Sequence, residues 1–416
     1  MKDSDAVTIE FSTIQSVGFA IVVLVIGMWI KKRVYFFQRF AIPSPVIGGF
    51  LFAIINLVLR QLGVWEITFD VSLQSFFMVI FFTSVGYGAS IKLLRQAGPK
   101  VLTFLILSTV LCIFQDVVAT VLAPLVGVSK DLALMTGSVS MTGGHGVSGG
   151  IAPLVEESGV QGAETVAYTA ATYGLVAGSL MGGPIANRLI LRKHLDKATA
   201  ADAAAAADID ESLLAVHVRK LRQDRIMHAF IMILVAMFFG SFITDGLNAL
   251  IGTFTSKAAF PVYLGTMLVA VVLRFINDKY DQTEYKELVP TQEIEIVGTV
   301  GLNIFLSMAL MNVRLWELAE LAMPLLILLA GQTVLMLVFA YFVTFRMMGS
   351  NYDAAVLTAG QVGFGMGATP NGMANMESVT AKFRPSPTAF FVVPIVGGMF
   401  IDFTNLIVIL TFLNVG

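Results

Sequence analysis

Glycines and small polar side chains crowd into two segments of an otherwise apolar chain, MTGSVSMTGGHGVSGG from Met135 to Gly150 and LTAGQVGFGMGATPNG from Leu357 to Gly372. Glycine lets a backbone approach a ligand closely and take up positive φ, and the free amides at the start of a half-helix present partial positive charge to an anion. These residues suit the non-covalent capture of a small carboxylate. Thr142, Gly143, Gly144, His145, Gly146, Val147 and Ser148 make one candidate tip. Gly363, Gly365, Met366, Gly367, Ala368, Thr369, Pro370 and Asn371 make the other. The alternative is that the glycines only allow close helix packing, but packing has no need of Pro370 and Asn371 beside the run.

Polar residues inside the apolar stretches form a second set. Asp402 and Asn405 lie one helical turn apart in MFIDFTNLIVIL, where an ionised Asp costs roughly 2.5–3.5 kcal/mol to insert. They suit a cation or a substrate ammonium, or else an Asp near the interface with a local partner. Gln115 with Asp116, and Gln332 with Thr333, fit interhelical hydrogen bonding and a functional role equally well. His145 suits donation to a carboxylate or proton transfer. No second His, Cys or carboxylate lies at helical spacing from it, so a transition-metal site is not expected. Gly146, Val147, Ser148 and Gly149 also spell the G-x-S-G of some intramembrane serine proteases. Such a serine needs a positioned base, His145 in the same loop is a poor one, and Pro370 holds the place of Ser148 in the second segment. No catalytic residue is assigned, and a channel is the remaining rival to a carrier.

The elements that must position these residues are membrane spans. A chain of 416 residues with 56% hydrophobic and 13% charged residues, and a mean hydropathy of +0.83, is too apolar for one soluble domain. The net charge of −2 gives no reason to expect a nucleic-acid partner. Stretches of the length needed to cross the hydrocarbon lie near 12–30, 42–62, 70–90, 99–124 and 163–190, then near 226–252, 259–277, 291–311, 319–346 and 386–413. Between the two sets, 191–225 reads as an Ala/Asp-rich linker flanked by basic residues. The first run has no small-residue cleavage site and reads as a retained span rather than a signal peptide. The single Cys112, in an apolar stretch, reads as a buried small hydrophobe.

Identical residues recur 222 positions apart, at Gly127/Gly349, Asp131/Asp353, Ala133/Ala355, Thr136/Thr358, Gly143/Gly365, Gly150/Gly372 and Ala167/Ala389, so the chain reads as a duplication. Charge then sets the topology. With ten spans, the N-terminus outside and both glycine-rich segments dipping in and returning, 21 of the 26 Lys and Arg residues fall on the inner side; only Lys2, Arg60, Lys130, Lys257 and Arg314 do not. If both segments crossed, the split would be 11 against 15, with no inward bias. The glycines, at about 1 kcal/mol each, and Pro370, at about 3, also argue against through-helices. The expected fold is an all-α polytopic membrane protein of ten transmembrane helices in two inverted five-helix repeats, each with a re-entrant Gly-rich hairpin. The first repeat takes 1–190 with a hairpin at 131–159, a cytoplasmic linker takes 191–225, and the second repeat takes 226–416 with a hairpin at 353–383. Both termini lie outside, and the hairpins enter from opposite faces with tips that can meet near the midplane.

Several long motifs, in order along most of the chain, carry a resemblance: SVSMTGGHG, ATYGLVAGSLMGGPIAN, LSMALMNVRLWELAELAMP, RMMGSNYDAAVLTAG, GFGMGATPNGMANM and VVPIVGGMFIDFTN. The sequence resembles the bacterial sodium/glutamate symporter family. The resemblance implies a carrier in the cytoplasmic (inner) membrane that imports glutamate with sodium by an elevator-type movement, as a homodimer in the lipid bilayer. It places the substrate and ion sites at Gly143–Gly146 and Gly363–Pro370. Sodium is a hard cation and takes oxygen ligands, for which Ser140, Thr142, Gln361, Asn375, Asp402 and Asn405 are the candidates, with carbonyls freed at the hairpins. Two or more Na+ per substrate are expected, because one would leave transport electroneutral. Val147 stands where the glutamate carriers place a hydroxylated residue, and Gln361 and Val362 stand where His and Cys occur. The substrate is accordingly glutamate or a related small acidic amino acid or carboxylate.

Overall fold

In the computed structural model of the protein, residues 7–90, 98–195, 222–252, 260–280 and 289–414 are described, and among them helix dominates. The expected linker falls outside the described residues over 196–221. Among the described residues, eight helices are long and apolar enough to cross a membrane: Thr13–Arg33, Ser44–Gln61, Gly98–Val126, Ala163–Lys193, Gln223–Leu250, Thr291–Met311, Leu321–Met347 and Pro387–Asn414. The two further spans expected at 70–90 and 259–277 coincide with a shorter apolar helix, Gln74–Gly88, and with Val262–Tyr280. The last turns of Val262–Tyr280 carry Arg274 and Asp278, paired at 2.9 Å.

The described residues divide into two compact units, and each unit takes part of both sequence halves. The first comprises those within Met1–Leu93 and Lys220–Ala319, the second those within Leu94–Arg219 and Glu320–Gly416. In the first unit, helices cross where one lacks a side chain. A Cβ on Gly48 would collide with the carbonyl of Val23, and one on Gly265 with the carbonyl of Gly240. Asn56 receives the amide of Ile67 and donates to its carbonyl, both at 3.3 Å. Asn277, 221 positions on, likewise receives the amide of Val289 at 3.1 Å. In both places a helix-borne amide satisfies the backbone of the chain returning toward it.

The sequence reading contained no strands, yet Val7–Phe11 and Trp65–Phe69 pair in parallel, Val7 opposite Trp65 and Phe11 opposite Phe69. VTIEF and WEITF are short runs of β-branched and aromatic residues that suit a pleated, half-buried surface. Phe11 and Phe69, opposite each other at the end of the pair, pack with Phe19 and Phe52 through tilted, edge-on and stacked ring contacts. Asp70 closes its end: the Asp70 amide donates to Phe11 O at 3.1 Å, and its carboxylate accepts from the Thr13 hydroxyl and from the Ser72 amide and hydroxyl. Those hydrogen bonds, that of the Ser72 hydroxyl foremost, hold the carboxyl down at about 2.

The second unit contains both glycine-rich segments, each running from one helix through a break into a second helix. In the first, helix Lys130–Leu134 gives way to turns before helix Gly144–Glu157 begins. In the second, helix Tyr352–Gly365 is continuous and is followed almost at once by Thr369–Lys382. Their starts are alike and 222 positions apart. Ser129 caps the Leu132 amide at 3.3 Å and Asn351 caps the Ala354 amide at 2.9 Å, each two residues after a left-handed glycine, Gly127 or Gly349. Two π-helical turns, Phe339–Thr344 and Val396–Phe400, interrupt the last two long helices. The second follows Pro394, which cannot donate to the helical ladder.

Candidate functional site

The long helix Gly98–Val126 places Gln115 and Asp116 side by side, so their side chains point about 100° apart and serve different partners. Both are buried. Asp116 holds the first hairpin: the Ser138 amide donates to Asp116 Oδ1 at 2.7 Å and the Ser138 hydroxyl to Oδ2 at 2.9 Å. The amides of Met135, Thr136 and Gly137 have already shifted to carbonyls three residues back, and the Ser138 amide, bonded to the carboxylate, does not return to the carbonyl four back, so residues 135–143 run as turns. A Cβ on Gly137 would strike Asp116 Oδ1, so a residue without a side chain stands there.

Gln115 ties the two tips together. The Thr142 hydroxyl donates to Gln115 Oε1 at 2.8 Å, and Gln115 Nε2 donates to the carbonyl of Gly365 at 2.7 Å. Nearby, Gly144 takes a positive φ of 56°, and a Cβ on it would lie 2.7 Å from the carbonyl of Gly367. The Met366 carbonyl faces Gly174 so closely that a Cβ there has no room. Gln332 completes the cluster, donating from Nε2 to the Gln115 carbonyl at 2.7 Å while its own Oε1 is buried without a partner.

The remaining expected residues divide by partner. His145 Nε2 lies 3.0 Å from the Thr172 hydroxyl, which itself donates to Tyr168 O at 2.8 Å, so the histidine is the donor between them. Ser148 Oγ sits 3.0 Å from Ser140 Oγ, and Ser140 also donates to Ala167 O at 2.9 Å, so both hydroxyls pin the arms behind the first tip. His145 and Ser148 do not form the base–nucleophile pair of a serine hydrolase. Asn371 donates to Leu175 O at 3.1 Å and to Ser179 Oγ at 2.6 Å, and Asn375 to Gly178 O at 3.0 Å, fastening the second hairpin along helix Ala163–Arg192. Thr369 donates to Gly397 O at 2.5 Å, in the π turn. Gln361 is held by the hydroxyl of Thr344, in the other π turn, and donates to Ser108 Oγ at 3.3 Å. Gly143 and Gly146 belong to the start of the second arm of hairpin one.

Asn405 donates to the Ser138 carbonyl at 3.1 Å, which joins the last helix to the first hairpin. Asp402, one turn earlier, is partly buried and has no hydrogen-bond or ion partner among the described residues. Sequence reasoning singled out Asn405 but left Gln115, Asp116 and Gln332 undecided and passed over Ser138. The signal was present in three charged or amide side chains within apolar helices. What it lacked was the pairing, since Gln115 and Gly365 are 250 positions apart.

The pattern of the family described as Sodium/glutamate symporter matches residues 9–385. A sodium/glutamate symporter of Haemophilus influenzae is 36% identical over 397 residues, which cover 95% of this chain and 95% of the relative. One of Escherichia coli is 37% identical over 407 residues, 97% and 98% of the two chains. The chain belongs to the sodium/glutamate symporter family. Its eight helices of spanning length make this family member a multi-pass membrane protein. The solved structure of the sodium proton antiporter MjNhaP1 of Methanocaldococcus jannaschii matches 96% of this chain and 99% of that one, at 13% identity and a TM-score of 0.41. The three positions that depart from the expected symporter motifs are all buried. Val147 packs against Gly143, Gln361 is held as above, and the Val362 carbonyl faces Gly178.

Proposed function

We propose that the protein is a secondary active transporter that imports glutamate, or a closely related small acidic amino acid, with sodium across the cytoplasmic membrane. The observation that carries the proposal is the meeting of the two glycine-rich tips through Gln115 and at Gly144 and Gly367, in a chain of the symporter family. The tips offer backbone amides and small hydroxyls rather than a nucleophile and base, which suits holding and releasing an anion. Thr142, Gly143, Gly144, His145, Gly146, Ser148, Gly365, Met366, Gly367, Thr369 and Asn371 are the proposed substrate residues. Ser140, Gln361, Asn375, Asp402 and Asn405 are the proposed sodium ligands.

The proposed architecture has ten transmembrane helices in two inverted repeats, 1–190 and 226–416, with both hairpins re-entrant, both termini outside and the 191–225 linker inside. The matched caps at Ser129 and Asn351 and the matched Asn56 and Asn277 support the duplication. The inward bias of Lys and Arg supports the topology. An elevator-type movement of the hairpin-bearing unit, within a homodimer, is the proposed route of alternating access. Two or more sodium ions accompany each substrate, so that the membrane potential, worth about 2.3 kcal/mol per charge per 100 mV, drives import.

Uptake of labelled glutamate into proteoliposomes tests the proposal. Uptake is expected to require external sodium, to accelerate under an inside-negative potential and to show saturable counterflow. Equal uptake when choline replaces sodium rejects it. Strong competition by a dicarboxylate lacking an amino group, with weak competition by aspartate, would move the substrate to another small carboxylate.

A further inference from the structure

Asp116 places a carboxyl group deep in the second unit. The residue is fully buried, Lys100 and Lys130 are the nearest basic residues along the sequence, and among the described residues no cation pairs with it. Two hydrogen bonds from Ser138 offset only part of the cost of burying an ion. Beside it lies a second unfilled valence. The Ser138 carbonyl can only accept, so Asn405 must turn Nδ2 toward it, and this leaves Asn405 Oδ1 buried, beside Ser138 and without a hydrogen-bond partner. The Ser138 hydroxyl gives its proton to Asp116 and keeps lone pairs free. A carboxylate, an amide oxygen and a hydroxyl oxygen thus gather at one residue of the unwound stretch, all of them hard donors.

We infer that Asp116, the Ser138 hydroxyl and Asn405 Oδ1 form a sodium site, in which Asp116 neutralises the ion. The site extends the sodium-coupled reading above and rests on it. Asn405 was among the ligands proposed there; Asp116 and Ser138 were not. A cation bound here would tie the last helix and helix Gly98–Val126 to the first hairpin, and so fix the turns that carry Thr142 and Gly144. The site accounts for a carboxylate, rather than a neutral cap, holding the Ser138 amide.

Equilibrium binding of radioactive sodium to the purified full-length protein tests the site, together with the thermal stabilisation given by sodium over choline. Asp116→Asn keeps an acceptor for the Ser138 amide but removes the charge. It is expected to raise half-saturating sodium by about tenfold or more, or to lose one bound ion, and to remove most of the sodium-specific stabilisation. Ser138→Ala, which keeps every backbone contact, should weaken binding several-fold, and serves if Asp116→Asn does not fold. Unchanged sodium affinity and number in both variants, or in Ser138→Ala where Asp116→Asn does not fold, overturns the proposal while leaving the transport reading intact. If the wild-type protein shows no preference for sodium over potassium, the sodium-coupled reading fails and the site with it. A variant with an unchanged sodium curve whose uptake has lost its pH dependence would assign Asp116 to a proton, which also overturns the proposal.

Discussion

The two hairpins begin alike and end differently. Both follow a left-handed glycine and a capping side chain 222 positions apart, yet the first unwinds after Leu134 while the second stays helical to Gly365. The difference lies in what faces them. Asp116 takes the Ser138 amide out of the helical ladder of the first. The second instead meets amide and hydroxyl side chains: Gln361 is held by Thr344 and Ser108, and Gln115 reaches only the carbonyl at its helix end. The first segment therefore presents loosened backbone beside a buried carboxyl group, which suits a cation. The other presents a helix end and the start of a new helix beside small residues, which suits an anion.

Steric substitutions should separate the two most strongly. Gly174→Ala sets a methyl group against the backbone carbonyl of Met366, which cannot rotate away, and is expected to cost about 3 kcal/mol or more and to abolish uptake. Gly137→Ala meets the side-chain carboxylate of Asp116 first and the Leu134 carbonyl only at 3.2 Å, and about 1 kcal/mol is expected. Thermal unfolding of the two purified variants measures both, and equal losses would show that the hairpins are held with equal rigidity.

The anchors come next. Asp116→Ala strands a buried amide and a buried hydroxyl on Ser138 and should destabilise by about 2 kcal/mol. Gln361→Leu should cost about half as much, because it strands only the buried Thr344 hydroxyl, while Ser108 retains its bond to Phe104 O at 2.8 Å. A larger loss at Gln361 in the same unfolding measurement would reverse the comparison. Gln115→Leu cuts the tie between the tips without touching either hairpin, and the expected loss of about 1 kcal/mol should appear as a several-fold rise in KM with kcat little changed.

The smallest effect is expected outside the hairpins, at Asp70. Its carboxyl is held at about 2, below its ordinary value of 3.8. The stability its ionised form contributes is therefore complete above about pH 4 and lost as pH falls through about 2. Unfolding curves of wild type and Asp70→Asn should run parallel from pH 5 to 8 and converge only in strong acid. Any divergence across the physiological range would mean that Asp70 does more than close the strand pair.

Much of this was legible in the sequence. The glycine runs mark the two places where the described helices of the second unit break, and the polar residues in apolar stretches drew attention to Asn405, because each departs locally from what a lipid-spanning helix tolerates. What stayed hidden depends on helix rotation and register. Ser138 and Asp116 are 22 positions apart and each is unremarked alone; only the fold brings them within 2.7 Å. The strands escaped because VTIEF and WEITF are too short to stand out from flanking apolar runs, and the π turn at Phe339–Thr344 has no proline or glycine to announce it.

In the proposed function the two unlike tips form one site for an anion and its sodium. Binding of labelled glutamate to the purified protein, titrated with sodium at constant ionic strength, decides whether they do. A shared site predicts that glutamate affinity climbs steeply with sodium, and that sodium affinity climbs with glutamate by the same factor. Glutamate affinity that is identical in sodium and in choline would contradict it.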